Sequence, residues 1–333
     1  AEREHQLRLQ EAKARFYGLN FYEVSREKAK ELHPLAHFDD VRCVMFEPDG
    51  GNVDPSGVPH AYAAGARAMG AKIERFCPVT GTEQQADGSW IVRTEKGDIH
   101  TQWVVNAAGL WGREVAALAG IMLPLLPTEH QYFVTDSIDE IANLGRRLPS
   151  IADRDGEYYL RQEGNGLLIG AYEKDMKFWA EEGTPLDFAH ELFADDLDRI
   201  MENVIRATER VSLAATAGVK RVINGPMIWS PDSSALWGPV PELNNYFLCG
   251  GLIPGFSQSG GIGLLAAQWM IDGEPEYDMF AWDLARFGDW ADKKFTKARV
   301  RDAYAHRFKI HFPNEERPAG RPARVRPAYE MQK

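Results

Sequence analysis

Residues 249–270 read CGGLIPGFSQSGGIGLLAAQWM and contain Gly261-Ile262-Gly263-Leu264-Leu265-Ala266. In a dinucleotide-binding βαβ unit such spacing brings backbone against a pyrophosphate. Position excludes that use here. The fingerprint needs its first glycine where strand turns directly into helix, yet the preceding strand is expected to end near Cys249, and too little chain follows to build a nucleotide-binding half. What remains is a glycine-eased helix start. Such a start presents unpaired backbone N–H groups and a partial positive charge. The loop Gly255-Phe256-Ser257-Gln258-Ser259-Gly260-Gly261 has few bulky side chains, so a flat ligand can approach its backbone. A ring that collects negative charge on reduction would be stabilised there. The plainer reading, a helix packing on a sheet, stays open at this point.

At 333 residues the chain can build two packed domains. Its 44% hydrophobic and 26% charged residues are ordinary for a globular protein. A net charge of −11 argues against a nucleic-acid partner, which needs clustered cations. No stretch is long and apolar enough to cross a bilayer, and no signal-peptide pattern opens the sequence. Cys43, Cys77 and Cys249 show no CxxC spacing and read as buried free thiols. His33 and His37 form one close pair, but Pro34 disfavours the helix that would align them, so no metal site is expected.

Along the chain, the first forty residues read as two helices, the second capped by Ser25. VRCVMFEP (41–48) reads as a strand. Asp54-Pro55 starts a helix that runs to Gly70, and AKIERFCPV (71–79) is a further strand. WIVRTEKGDIHTQWVV (90–105) reads as a hairpin around Lys96-Gly97, followed by NAAGLW and a helix to about Gly120. HQYFVTD (130–136), EYYLRQ (157–162) and GLLIGAYE (166–173) have the aromatic and β-branched texture of an antiparallel sheet. Phe188, Leu192, Phe193, Leu197, Ile200, Met201, Val204 and Ile205 follow a helical period and predict one long helix. NGPMIWSPDSS reads as a loop before the strand NYFLCG (245–250), and 280–308 is helical. The expected fold is α/β (α+β): an incomplete Rossmann-like layer (1–120 and 231–275) interrupted by an antiparallel substrate sheet with a long helix (121–230). A helical region (276–312) and a Pro- and Arg-rich linker (313–333) follow.

EPDGGNVDP, GAKIERFCPV, VVNAAGLW, PLLPTEHQYFVTDSI and CGGLIPGFSQSGGIGLLAAQWM, in that order, resemble FAD-dependent amine oxidoreductases of the dimethylglycine/sarcosine dehydrogenase group, within the D-amino-acid-oxidase-like superfamily. FPNEERPAGRP resembles that group's link to a tetrahydrofolate-binding domain. The group's N-terminal GxGxxG segment and its folate domain have no counterpart in this sequence, so the chain is expected to be a fragment, one that alone holds FAD poorly. The resemblance implies oxidative N-demethylation of a secondary or tertiary amine by hydride transfer to flavin N5. It implies delivery of the one-carbon unit to tetrahydrofolate, and reoxidation by oxygen or an electron-transfer flavoprotein. The implied location is the cytoplasm or mitochondrial matrix.

That chemistry needs an unprotonated amine, because the nitrogen lone pair supports the developing iminium. Imidazole suits the proton transfer. The resemblance places His130 beside the flavin and gives Tyr158 as the substrate-side phenol. Strand alternation allows only one of Tyr158 and Tyr159 into the site. For the cofactor it implies Val79 at the adenine, Ala107, Gly109 and Trp111 where backbone approaches closely, and Gly255, Phe256, Ser257, Gln258 and Ser259 at the flavin edge. Arg161 could meet a substrate carboxylate, although an exposed strand arginine explains it as well. A non-catalytic regulatory subunit is the competing reading.

Overall fold

Residues between 126 and 171 alternate between two chemistries, and that alternation builds the sheet that carries the site. The computed structural model describes residues 2–308, 317–323, 325, 328, 329 and 331. The chain opens with α1 (Glu2–Phe16), β1 (Tyr22–Val24), α2 (Arg26–Leu32), β2 (Val44–Phe46) and α3 (Gly57–Ala68). It continues through β3 (Val79–Gln84), β4 (Trp90–Thr94), β5 (Gly97–Thr101), β6 (Val104–Asn106) and α4 (Gly112–Ala117). Then come β7 (Leu126–Thr135), α5 (Asp139–Ala142), β8 (Ile151–Asp153), β9 (Tyr158–Glu163), β10 (Gly166–Ala171), α6 (Leu197–Arg210) and β11 (Val219–Trp229). The last elements are β12 (Leu236–Pro239), β13 (Tyr246–Gly250), α7 (Gly255–Asp272) and α8 (Lys293–Ala305).

The largest sheet has the order β11-β7-β10-β9-β8, with every pair antiparallel. Ile169 pairs with Leu160 on one side and Phe133 on the other, so all three share a face. That face packs on Ile200 and Ala207 of α6 and on Ala29 and Phe38, forming the main core. Arg199 fastens α6 more firmly. Only 4% exposed, its side chain meets Glu129 and Glu173 at 2.8 Å each. The opposite face carries His130, Tyr132, Tyr159 and Gly170.

A second sheet, β12-β13-β6, holds β6 parallel to β13. Trp237 and Phe247 pack on Ile262, Leu265 and Ala266 of α7. The hairpin sheet β3-β4-β5 joins it through buried Trp90, whose Nε1 donates to the Asn244 carbonyl at 2.8 Å. The architecture is therefore mixed α/β with an antiparallel insert. Among the described residues no helix is long and apolar enough to cross a membrane.

Several local expectations give way to tertiary contacts. The stretch expected as a strand over 71–79 is irregular until Val79, with Phe76 at φ +51°; β3 starts where a partner in β4 becomes available. The first forty residues contain β1 between their two helices, because Tyr22–Val24 pairs with Val44–Phe46. Asp54 Oδ1 does accept from the Gly57 N–H, but the helix starts at Gly57, beyond Pro55. The hairpin turn falls at Glu95-Lys96, since Thr94 pairs with Gly97.

NGPMIW is no loop: residues 224–229 complete β11, which runs the length of β7. The long helix is shorter than its periodicity and begins only at Leu197. Residues just before it are claimed by the sheet. Phe193 N–H donates to the Asn224 carbonyl at 2.8 Å, and the Asn224 amide donates to the Ala194 carbonyl at 2.9 Å. The proposed terminal linker is described over 317–323, where Arg317 pairs with Asp302 of α8 at 3.1 Å. Of that stretch, residues 313–316, 324, 326, 327, 330, 332 and 333 lie outside the described residues.

Candidate active site

β7 delivers His130 to the face of the sheet away from α6, where aromatic rings enclose it. Its Nδ1 lies 2.9 Å from the Tyr304 hydroxyl and its Nε2 3.0 Å from the Tyr159 hydroxyl. The Tyr172 ring stands 4.8 Å away, centroid to centroid. Burial, with a smaller contribution from the Arg199 cation, lowers the imidazole from its usual 6.5 to about 4. It is therefore neutral at pH 7 and can accept a proton.

Tyr158 and Tyr159 divide between the faces as alternation requires, but in the opposite sense to the one expected. Tyr158 points into the α6-side core, 1% exposed, and donates to Asp153 Oδ2 at 3.2 Å. Tyr159 is the phenol that meets His130. A glycine makes room for each: a Cβ at Gly156 would lie 2.4 Å from the Tyr158 ring, and one at Gly170 would lie 2.3 Å from the Tyr159 ring. Each phenol is pushed up by burial and stays protonated. The structure thus brings Tyr159, and not the expected Tyr158, to His130. Core packing decides the matter, because Leu160 commits its strand's even positions to α6.

Behind His130 lies a polar chain that the sequence did not disclose. Tyr304, on α8, donates to Glu173 Oε2 at 2.9 Å. Glu173 is 2% exposed and ion-paired to Arg199. Burial raises its carboxyl, opposed by Arg199 and by the Tyr304 hydroxyl. Arg199 also holds Glu129, which accepts from the Asn224 amide at 3.1 Å. The available signal was the spacing of Val300 and Tyr304 on one helical face, both fully buried. Arg161 is occupied by Glu163 at 2.6 Å, as befits a partly exposed strand arginine.

The expected cofactor residues fall into two places. Parallel pairing puts the carboxyl ends of β6 and β13 at the same edge. From the first come Ala107, Gly109 and Trp111; from the second, Gly251 through Ser259. Open α/β sheets bind ligands at that end of their strands. Gly109 has φ +55°, and a Cβ there, as at Gly255, Gly261 and Gly263, would meet nothing within 4 Å. Trp111 is tied by its Nε1 to the Pro185 carbonyl at 2.9 Å.

The expected loop 255–261 is already helical, since α7 begins at Gly255 after the cap Pro254, so its unpaired N–H groups belong to Gly255, Phe256 and Ser257. Immediately before them, Ile253 packs in the cluster that holds Tyr172, Trp229 and Tyr304. The helix start and the His130 chain are thereby neighbours. Val79 stands apart, 39% exposed at the start of β3, with no described contact to that edge. His33 is buried; the three cysteines are free as expected but half-buried rather than buried, and the described residues contain no cluster of three metal-ligating side chains.

Residues 1–269 match the family profile described as FAD dependent oxidoreductase, and residues 272–325 match that of the FAD dependent oxidoreductase central domain. Human mitochondrial dimethylglycine dehydrogenase is 40% identical over 306 residues, 90% of this chain and 35% of that protein. Human mitochondrial sarcosine dehydrogenase is 35% identical over 94% of this chain and 34% of that protein. The chain thus spans about a third of the length of these relatives. The crystal structure of L-proline dehydrogenase from P. horikoshii superposes with a TM-score of 0.70 at 25% identity, covering 82% of this chain and 70% of that one. The profile match over most of the chain and the shared antiparallel-sheet architecture agree: this chain belongs to the family of FAD-dependent oxidoreductases related to the dimethylglycine and sarcosine dehydrogenases.

Proposed function

We propose that the chain forms the substrate side of an enzyme that oxidises the C–N bond of a small N-methyl amine of the dimethylglycine or sarcosine type. In this reading the one-carbon unit passes to tetrahydrofolate in the whole protein. The observation that carries the proposal is a neutral, ring-enclosed His130 in contact with Tyr159 on the sheet face beside the α7 start. FAD, when bound, would accept the hydride. Gly255, Phe256, Ser257, Gln258 and Ser259 would hold the ring edge that gains charge, with Ala107, Gly109 and Trp111 opposite them. The open Cβ directions at Gly255, Gly261 and Gly263 suit such a group. Val79 belongs to the proposal only as a distant adenine contact.

The rest is proton chemistry. An alkylammonium must lose a proton before its nitrogen can support an iminium. Tyr159 and His130 form the accepting pair: the phenol receives at its oxygen while passing its own proton to imidazole Nε2. The rings of Tyr172, Trp229 and Tyr304 exclude water from the imidazole, so the proton stays within the pair. The acceptor for the electrons would be oxygen or an electron-transfer flavoprotein, and the location the mitochondrial matrix or cytoplasm.

The test takes the chain with whatever sequence flanks it in its gene, supplied with FAD under anaerobic conditions. Sarcosine or dimethylglycine is expected to bleach the flavin absorbance, and tetrahydrofolate to capture the one-carbon unit. Protein that binds FAD but ignores both amines, or protein that stays colourless, overturns the reading. The colourless outcome points to a regulatory subunit.

A further inference from the structure

We propose that Glu173, acting through Tyr304, is a positioning residue that fixes the tautomer of His130. The imidazole would carry its proton on Nδ1 and keep Nε2 bare to accept from Tyr159. The proposal concerns the pair invoked above and deepens that reading, but the tautomer itself does not depend on it.

One chain of contacts fixes where each proton sits. Tyr304 lies between two partners, Glu173 Oε2 and His130 Nδ1, each at 2.9 Å. A phenol has one proton to give. An ionised carboxylate can only accept, so it takes that proton, and the Tyr304 oxygen must then accept from Nδ1–H. The neutral imidazole has no second proton, so Nε2 accepts from the Tyr159 hydroxyl at 3.0 Å. Every bond then points one way, from the Tyr159 hydroxyl to the buried carboxylate.

Two further observations hold the end of the chain in place. Arg199 lies 2.8 Å from Glu173 Oε1, which favours the carboxylate over the acid. Glu129, a second carboxylate on Arg199, is also held by the Asn224 amide, and the carboxylate bonded to Tyr304 is Glu173. The groups packed around the imidazole are Tyr159, Tyr172 and Tyr304, with Arg199 the nearby charge; none of the three phenols ionises near neutral pH, since burial raises each. Glu173 is the group whose charge sets the direction. If it were protonated, the acid would donate to Tyr304, Tyr304 to Nδ1, and Nε2–H to Tyr159. The site would then present a donor where it now presents an acceptor.

Long-range 15N NMR of the folded chain, labelled at histidine, reads the tautomer directly and needs neither flavin nor amine. His130→Gln assigns the signals by their loss. The unaltered chain is expected to show a protonated Nδ1 and a bare Nε2 at neutral pH. Glu173→Gln should move the tautomer ratio toward Nε2–H by roughly tenfold or more, the scale of one hydrogen bond to a charged group. Tyr304→Phe, which keeps the ring and removes the relay, should also release the preference, and it serves if the Gln variant does not fold. An Nε2–H imidazole in the unaltered chain, or a ratio that neither folded variant moves, overturns the proposal. A chain with the expected tautomer that oxidises no amine would instead count against the proposed function alone.

Discussion

At the scale of single residues, the EYYLR pair shows how much one position matters. Tyr158 and Tyr159 are chemically identical, yet one braces Asp153 in the core and the other touches the imidazole. Tyr159→Phe should lower amine oxidation on the order of 10²-fold, the low end for a proton-transferring group. Tyr158→Phe should leave turnover within a few-fold and cost about 1 kcal/mol of stability, one hydrogen bond. Paired kcat/KM and urea-denaturation measurements check both. The reverse pattern would restore Tyr158 to the site.

At the scale of elements, α7 joins two demands. Its buried side, Ile262, Leu265 and Ala266, follows helical spacing and anchors it to Trp237 and Phe247. Elsewhere on it Gly255, Gly261 and Gly263 face open space, while Gly260 lies against the Tyr62 hydroxyl. Glycine inside a helix costs about 1 kcal/mol relative to alanine, so a purely structural α7 would do better without Gly261. Gly261→Ala is therefore expected to raise stability by about 0.5–1 kcal/mol. If the flavin edge lies against this face, the same change should weaken FAD binding in a fluorescence titration. A stabilised variant with unaltered FAD affinity would assign these glycines to folding rather than to the ligand. α6 tells the converse story: an apolar period beginning at Phe188 overstates its length, because Gln131 and Asn224 hold residues 193–196 to the sheet.

Across the whole molecule, acid should act first through histidines. His33 and His130 both lie well below the usual 6.5, at about 4, mainly because burial penalises the imidazolium. Between those values the unfolded chain binds more protons than the folded one, so stability is full above pH 6.5 and falls as pH drops toward 4. Lowered carboxylates such as Asp40, bonded to Arg210, add their loss at lower pH. Each histidine contributes a slope of up to about 1.4 kcal/mol per pH unit. His33→Gln should flatten urea midpoints between pH 6.5 and 4.5 by about one such slope. A stability profile of the unaltered chain that is flat across this window contradicts the prediction.

The sequence by itself determined what depends on short range and on order along the chain. It determined the strands read at 130–136, 157–162 and 166–173, the cap at Ser25, the helix after Cys249, and the interruption of one layer by an antiparallel sheet; the start of β7 at Leu126 and the edge strand β8 it did not. That Gly261 lies well past the end of its strand was legible for the same reason. Tertiary structure decided what depends on a partner distant in sequence. NGPMIW became a strand because β7 offered it a full edge, and 71–78 stayed irregular until β4 could pair. Which tyrosine faced His130 was settled by which side α6 covered. Tyr304 on α8, Arg199 on α6 and Glu173 just after β10 come from three separate parts of the chain, and burying a carboxylate beside an arginine is favourable only once the fold has already brought them together.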